Sequence, residues 1–94
     1  IRFLKFKIYF ELNYIEESLA MIDSFEHFLK KDTKINRSVK PSYAGFVKYY
    51  KKLIRCKIKE EYSDAALIPE KIQKEKVNEK KWLIKKAKEM AGNK

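Results

Sequence analysis

The only histidine of the chain, His27, follows Asp23 by one helical turn in the segment MIDSFEHFLKKD, residues 21–32. Residues four apart share one face of a helix, so the carboxylate could orient the imidazole as a general base. Such a site also needs a nucleophile within reach of the base. The adjacent hydroxyl, Ser24, points about 100° away from Asp23 around the helix. We interpret the pair as an exposed surface pair or, preferably, as a hydrogen-bonded contact with a neighbouring helix, and we predict that the protein is not an enzyme.

The single cysteine, Cys56, excludes an internal disulfide and favours the reducing cytoplasm. One Cys and one His cannot form a Cys/His zinc site, because such a site needs four ligands. The sequence also lacks a glycine-rich phosphate loop and a nucleophile elbow. Basic neighbours in LIRCKIK could lower the pKa of the Cys56 thiol, but a free cysteine usually packs as a small hydrophobic residue. We predict a packed cysteine, no metal and no cofactor.

The net charge of +10 is concentrated in the second part of the chain. Residues 1–36 carry six basic and six acidic side chains, whereas residues 37–94 carry seventeen basic and seven acidic ones. Residues 33–59 contain nine Lys and Arg residues and no Asp or Glu. This asymmetry is the clearest functional signal in the sequence.

Cations recur at three- and four-residue spacing on one side of a predicted helix within residues 34–59. We call the following five residues the basic face: Lys48, Lys51, Lys52, Arg55 and Lys59. Such a face can bind phosphates or an acidic protein surface, and Tyr49 at its edge could stack on nucleic-acid bases. The alternative is a solvated lysine-rich face. The excess of Lys over Arg weakens direct base reading, which favours arginine.

Hydrophobic periodicity and the scarcity of Gly and Pro predict a single all-α domain of antiparallel helical hairpins. The predicted helices cover about residues 1–11, 14–31, 38–60, 69–76 and 79–91. The first two form a hairpin over residues 1–31, the third is the basic helix and the last two are the C-terminal helices. Ser38 and Asn78 are the predicted N-caps of the third and fifth helices, with a break near Asn78 and a loop or frayed helix end at EEYSDAALIPE.

The first helix is apolar almost all round, which is typical of a helix buried on more than one side. The rival interpretation is a strand, since apolar residues also alternate here, but no partner strand is evident. The chain starts at Ile1 within this apolar run rather than at Met, so we expect contacts with upstream residues or with another chain. The predicted interface residues are Phe3, Phe6, Tyr9 and Phe10.

The C-terminal segment KKWLIKKAKEM, residues 80–90, is amphipathic, with Trp82 on its apolar side. It could bind a membrane surface or a partner groove. We predict instead that it docks on the apolar stripe of the basic helix and closes the core. No apolar run approaches the ~20 residues that a membrane span requires. The predicted core comprises Phe6, Tyr9, Phe10, Ile15, Leu19, Ile22, Phe25, Leu29, Phe46, Tyr50, Leu53 and Leu83.

The segment IYFELNYIEESLAMIDSFEHFL, residues 8–29, resembles the helical hairpin of a tetratricopeptide-type repeat. Together with YAGFVKYYKKLI and KKWLIKKAKEM, it is similar to the C-terminal region of bacterial helical proteins of unknown function, some of them tetratricopeptide-like. This resemblance implies a helical terminal module without a defined activity. Helices at the end of a solenoid typically act as caps.

These features predict a non-catalytic scaffold or capping module that binds a protein, either another chain or its own upstream region. The alternative is a nucleic-acid-binding domain that uses the basic face.

Overall fold

The computed structural model describes residues 3–31 and 38–92. Its elements are α1 (Phe3–Glu11), α2 (Ile15–Lys31), α3 (Lys40–Lys59), a 3₁₀ turn (Asp64–Leu67), α4 (Ile68–Gln73) and α5 (Lys80–Gly92). The described residues contain no β-strand, so the predicted all-α fold is confirmed and a strand at the start of the chain is excluded over residues 3–11. The predicted helical residue Ile1 and the cations Lys34 and Arg37 lie outside the described residues.

A tight turn at Asn13 joins α1 to α2. Asn13 is left-handed, with a φ of 63°, a conformation that Asn tolerates better than most residues. The Tyr14 N–H donates to the Tyr9 carbonyl at 2.9 Å, and the Ser18 hydroxyl donates to the Tyr14 carbonyl at 2.8 Å. Local hydrogen bonds therefore fix the direction in which α2 leaves the turn.

The central helix is α3, which contacts α2, α5 and the 3₁₀ turn. Its Tyr50 hydroxyl donates to the Phe6 carbonyl of α1 at 2.7 Å and lies 3.2 Å from Ser18 Oγ of α2. Edge-to-face ring contacts join the same helices, with centroids 4.9 Å apart for Phe6 and Tyr50 and 4.6 Å apart for Phe3 and Phe46. Ring pairs in this geometry stabilise a core beyond the area that they bury.

The predicted fourth helix is present after α3, although it ends at Gln73 rather than near residue 76 and is preceded by a 3₁₀ turn. α3 ends at Lys59 because Glu60 is left-handed, with a φ of 52°, and its N–H donates to carbonyls of the last turn. The predicted loop then forms the 3₁₀ turn and opens α4, with Pro69 in the first turn of that helix. A proline is tolerated there because its missing N–H has no intrahelical partner.

Both predicted N-caps are wrong, although the break before the last helix is confirmed. The cap of α3 is Val39 rather than Ser38, so the helix begins at Lys40. Asn78 does not cap α5, because the helix begins at Lys80 and the left-handed residue Glu79, with a φ of 56°, lies between them. The Asn78 N–H donates instead to the Ser42 carbonyl at 3.0 Å across the fold.

Most of the predicted core residues are buried, and the core contains further residues that were not predicted. Tyr9, Ile15 and Phe25 are only half-buried, and the prediction for Leu19 is wrong because 42% of it is exposed. The additional buried residues lie mainly on α3 and in the C-terminal part: Val47, Tyr49, Ile54, Cys56, Ala65, Ile68, Ile72, Val77, Ala87 and Met90. The short α4 and its flanks therefore contribute more to the core than their sparse apolar pattern indicated.

Candidate functional site

The structure divides the basic face into paired and unpaired cations. Lys48 forms an ion pair with Glu75 at 3.3 Å, and Lys51 forms one with Glu26 at 3.3 Å. Lys52, Arg55 and Lys59 form no ion pair with any acid of the described residues. The charge available to a ligand is therefore concentrated in the last three turns of α3.

Tyr49, the residue predicted to stack on bases, is inaccessible. It is 0% exposed, and its hydroxyl donates to the Glu75 carboxylate. Burial, assisted by the hydrogen bond to Glu75 and by the charge of that carboxylate, raises the pKa of Tyr49 to about 12. The Nζ atoms of Lys48 and Lys52 lie 5.1 and 5.6 Å from its ring centroid, so the ring interacts with cations of its own chain.

Glu75 organises this end of the basic face. The hydrogen bond from Tyr49 has the largest effect on Glu75 and lowers its pKa. Burial opposes this shift, whereas the hydrogen bond and charge of Lys48 and the charge of Lys52 lower the pKa further. The carboxylate is therefore held in its charged form between Tyr49 and two lysines. No acid lies within residues 33–59, so this interaction could not be read from the helix alone.

A cleft of about 260 Å³ lies beside the unpaired cations, between α3 and the segment formed by the 3₁₀ turn and α4. The residues that line it are Lys52, Arg55, Cys56, Lys59, Glu61, Asp64, Leu67, Ile68 and Lys71. Folding thus adds a fourth cation, Lys71, which also forms no ion pair with any acid of the described residues. Lys71 was not a predicted site residue, because the apolar pattern of α4 is sparse and local spacing does not indicate where α4 packs against α3.

Cys56 lies in the wall of this cleft and is buried, as predicted. Burial raises the pKa of its thiol, and the charges of Asp64 and Glu61 add to the increase. Lys59 acts in the opposite direction but is outweighed. The structure therefore favours the packed cysteine over a thiol activated by basic neighbours, because burial and the two acids outweigh Lys59.

Two of the four predicted interface residues on α1 are buried within the described residues. Phe6 and Phe10 are buried in the core, and Phe3 and Tyr9 are half-buried. On the opposite side, three apolar residues at one-turn spacing are exposed: Leu4 (70%) and Ile8 (44%) in α1, and Leu12 (54%) in the turn that follows it. We call these three residues the outer ridge; a helix that is apolar all round gives no signal that distinguishes this side from the buried one.

The inner side of α1 is held firmly by α3. The Lys57 ammonium donates to the Phe10 carbonyl and, at 3.0 Å, to Asn13 Oδ1, and it lies 3.7 Å from the Phe10 ring centroid. A cation at this place complements the negative end of the helix dipole. Burial lowers the pKa of Lys57; Lys86 also lowers it, and Glu11 opposes the shift. This lysine therefore caps α1.

Asp23 and His27 are both exposed. Neither residue forms a hydrogen bond or ion pair within the described residues, so the preferred interpretation of a contact with a neighbouring helix is wrong. Neither lines the cleft beside α3 or a second cleft around Tyr62 and Ala91.

The C-terminal helix docks on the core, as predicted. The Trp82 ring lies 5.3 Å from that of Phe10 and 6.2 Å from that of Tyr50, between centroids. Leu83 and Ala87 are fully buried on the same helix. Lys86 also lies in this interface, where burial alone would lower its pKa but hydrogen bonds to Glu11 and Glu89 outweigh burial and raise it.

Comparisons with known proteins do not assign a function. No protein-family model, curated protein or solved structure matches this chain. The described residues contain no group of three or more His, Cys, Asp or Glu side chains that could hold a metal ion. None of the helices in residues 3–31 and 38–92 combines the length and apolar character needed to cross a membrane.

Proposed function

We propose that this protein is a non-catalytic helical module that binds an amphipathic helix of a protein partner along the outer ridge of α1. The observation that carries the proposal is the exposure of Leu4, Ile8 and Leu12, because one-turn spacing forms the ridge against which a second helix packs. The opposite side of α1 is fixed by Phe6, Phe10 and the Lys57 cap, so the ridge is presented on a rigid support.

This role is that of a scaffold or a cap. The antiparallel α1–α2 pair is the kind of unit that stacks in tetratricopeptide-like arrays of bacterial proteins, where a neighbouring hairpin covers the outer helix. The partner helix would come from another chain or from further sequence of the same protein. The unpaired Cys56 favours a cytoplasmic setting.

Selection from a displayed library of amphipathic helical peptides tests this proposal. Peptides that bind the wild-type protein should weaken by at least about tenfold on Ile8→Glu, because the carboxylate would enter the apolar contact. Ile58→Glu is the matched control, since Ile58 is also a helical isoleucine and is 53% exposed. Selected peptides that lose equal affinity with both variants, or with neither, would contradict binding at the outer ridge.

A second candidate function is nucleic-acid binding through the unpaired residues of the basic face. It is favoured by the absence of ion pairs at Lys52, Arg55 and Lys59 within the described residues and by the net charge of +10. A titration with duplex DNA at about 50 and 200 mM salt should show a steep loss of affinity with salt. Weak binding with a flat salt dependence would remove this candidate.

The variant Lys52→Glu/Arg55→Glu should abolish DNA binding. Its control is Lys30→Glu/Lys85→Glu, which makes the same change in net charge at two exposed lysines outside the basic face. Lys48 is left unchanged because its pairing with Glu75 links α3 to the segment after α4. Equal losses in the two variants would indicate attraction by net charge rather than a defined surface.

A further inference from the structure

The cleft between α3 and α4 gathers cations that are distant in sequence. Lys52, Arg55 and Lys59 come from successive turns of α3, and Lys71 faces them from α4. Cations that are close together raise the energy of the site unless an anion compensates them. The described residues supply no ion-pair partner to these four cations, although Lys48 and Lys51 on the same helix each have one.

The distribution of acids sets the length of anion that the cleft can accept. Glu61 and Asp64 line the end of the cleft near Cys56, where the Glu61 N–H donates to the Cys56 carbonyl at 3.3 Å. Glu75 lies beyond the opposite end, against Tyr49 and Lys48. A long phosphodiester strand that followed α3 would therefore meet carboxylates on both sides of the cationic segment. A compact anion stays within the lining, which holds four cations and the two acids Glu61 and Asp64.

The lining also contains apolar surface. Leu67, which is half exposed, and the buried Ile68 belong to the same wall as Lys71. A volume of about 260 Å³ exceeds that of one phosphate group, so part of an organic molecule fits beside the anion. The walls thus suit a charged group attached to a less polar body.

We propose that this cleft binds the phosphate group of a phosphate monoester, with Arg55, Lys52 and Lys71 as its ligands. Arginine matches phosphate oxygens with two parallel N–H donors, and lysine adds a mobile point charge. A monoester carries close to two negative charges near neutral pH, which suits a cluster of unpaired cations better than a singly charged diester does. The proposal narrows the second candidate function, since Lys52 and Arg55 belong to both, and it is independent of the outer ridge.

Nuclear magnetic resonance titration of the whole ¹⁵N-labelled protein with inorganic phosphate and with phenyl phosphate tests the site. We expect saturable shifts confined to amides of residues 52–59 and 67–71, with tighter binding of phenyl phosphate because its ring contacts Leu67. The variant Arg55→Glu/Lys71→Glu should weaken both ligands by at least about tenfold. The matched control Lys30→Glu/Lys85→Glu should stay within about twofold of wild type, since screening limits the effect of distant charges.

Two results would overturn the proposal: shifts that spread over exposed lysines without saturation, or equal binding by Arg55→Glu/Lys71→Glu and wild type. Circular dichroism and thermal unfolding check that the variant folds. If it does not, the milder Arg55→Gln variant replaces it and should still weaken binding severalfold.

A final pair of titrations separates this site from the second candidate function. A single-stranded oligonucleotide with a 5′-phosphate should compete with phenyl phosphate more strongly than the same strand without it. Oligonucleotide binding that ignores the terminal phosphate, with no saturable binding of phenyl phosphate, would refute the cleft and keep nucleic-acid binding. No binding of any phosphate compound would refute both.

Discussion

Tyr49 and Tyr50 are adjacent in α3, and both are fully buried by contacts with other parts of the chain. Tyr50 belongs to the apolar stripe of α3, so periodicity placed it in the core, and it is buried there. Tyr49 has the same side chain, but the helix alone places it beside the cations. It becomes buried because Glu75 approaches from the chain after α4 and accepts its hydroxyl hydrogen bond. That partner is 26 residues away, and no local pattern indicates it.

Tyr50→Phe should lower the free energy of unfolding by about 1 kcal/mol, the usual net contribution of one intramolecular hydrogen bond. The loss is moderate because Ser18 keeps its bond to the Tyr14 carbonyl after the Tyr50 hydroxyl is removed. Urea unfolding measures the change. Tyr43→Phe is the control, because its hydroxyl forms no hydrogen bond within the described residues and it should stay within about 0.5 kcal/mol of wild type. Equal losses would show that the Tyr50 hydrogen bond contributes nothing.

At the scale of elements, helix type and approximate position could be predicted, whereas helix ends and their partners could not. Three-and-four spacing located α2 and α3 because burial of one face determines that pattern. The first helix is apolar almost all round, and only the lack of a partner strand favoured a helix there. Ser38 and Asn78 failed as caps because each lies two residues before its helix begins, and a cap preference of about 1 kcal/mol does not fix the first helical residue. The cleft shows the same difference. Helical spacing predicted that Lys52 and Arg55 share one face of α3, but only the packing of α4 against α3 brings Lys71 to them.

At Gly45, α3 lies very close to the chain that connects α4 to α5. A Cβ atom there would lie 2.9 Å from the Lys76 carbonyl oxygen and 3.0 Å from Val77 Cγ2. Alanine favours a helix over glycine by about 1 kcal/mol, but overpacking against a backbone atom typically costs about 1–3 kcal/mol. We therefore expect Gly45→Ala to destabilise the protein on balance.

The matched control for this prediction is Gly92→Ala. Nothing lies within 4 Å of the position of its Cβ atom, so the change should be neutral or slightly stabilising. Thermal unfolding of both variants provides the comparison. A higher melting temperature for Gly45→Ala would show that the connection between α4 and α5 moves away from α3 at little cost.

Across the whole molecule, charge separates two surfaces that could act independently. The first hairpin contributes the outer ridge, and two of its acids pair with other helices: Glu11 with Lys86 of α5, and Glu26 with Lys51 of α3. The partly exposed Glu26–Lys51 pair contributes little stability by itself. The larger effect of these pairs is to neutralise some cations and leave the group around Arg55 without a partner. The pattern of ion pairs therefore leaves part of the net positive charge in the cleft beside α3.

The interactions of Glu75 make the stability of the protein depend on pH under acidic conditions. The pKa of Glu75 is lowered in the folded state by the Tyr49 hydrogen bond and the nearby lysines. Its contribution is therefore present above the ordinary glutamate value and is lost as the pH falls through the lowered folded pKa. Glu75→Gln should flatten the acid limb of a plot of unfolding free energy against pH. Glu70→Gln, at an exposed glutamate of α4, should leave that limb unchanged, and a flattened limb there would contradict this role of Glu75.

At the alkaline end we expect Tyr49 and Tyr50 of α3 to contribute to the loss of stability. Burial raises the pKa of both Tyr49 and Tyr50 from 10.0 to about 12. Above pH 10 the unfolded chain loses protons that the folded chain retains, so stability is full below that value and falls as the pH rises towards 12. The ultraviolet absorbance of two tyrosinates should therefore appear together with the loss of helical circular dichroism. In the control variant Tyr43→Phe/Tyr62→Phe, this coupled signal should persist. Ionisation of Tyr49 and Tyr50 before unfolding would contradict the prediction, because it would show that the α3 interface opens to solvent while the helices remain intact.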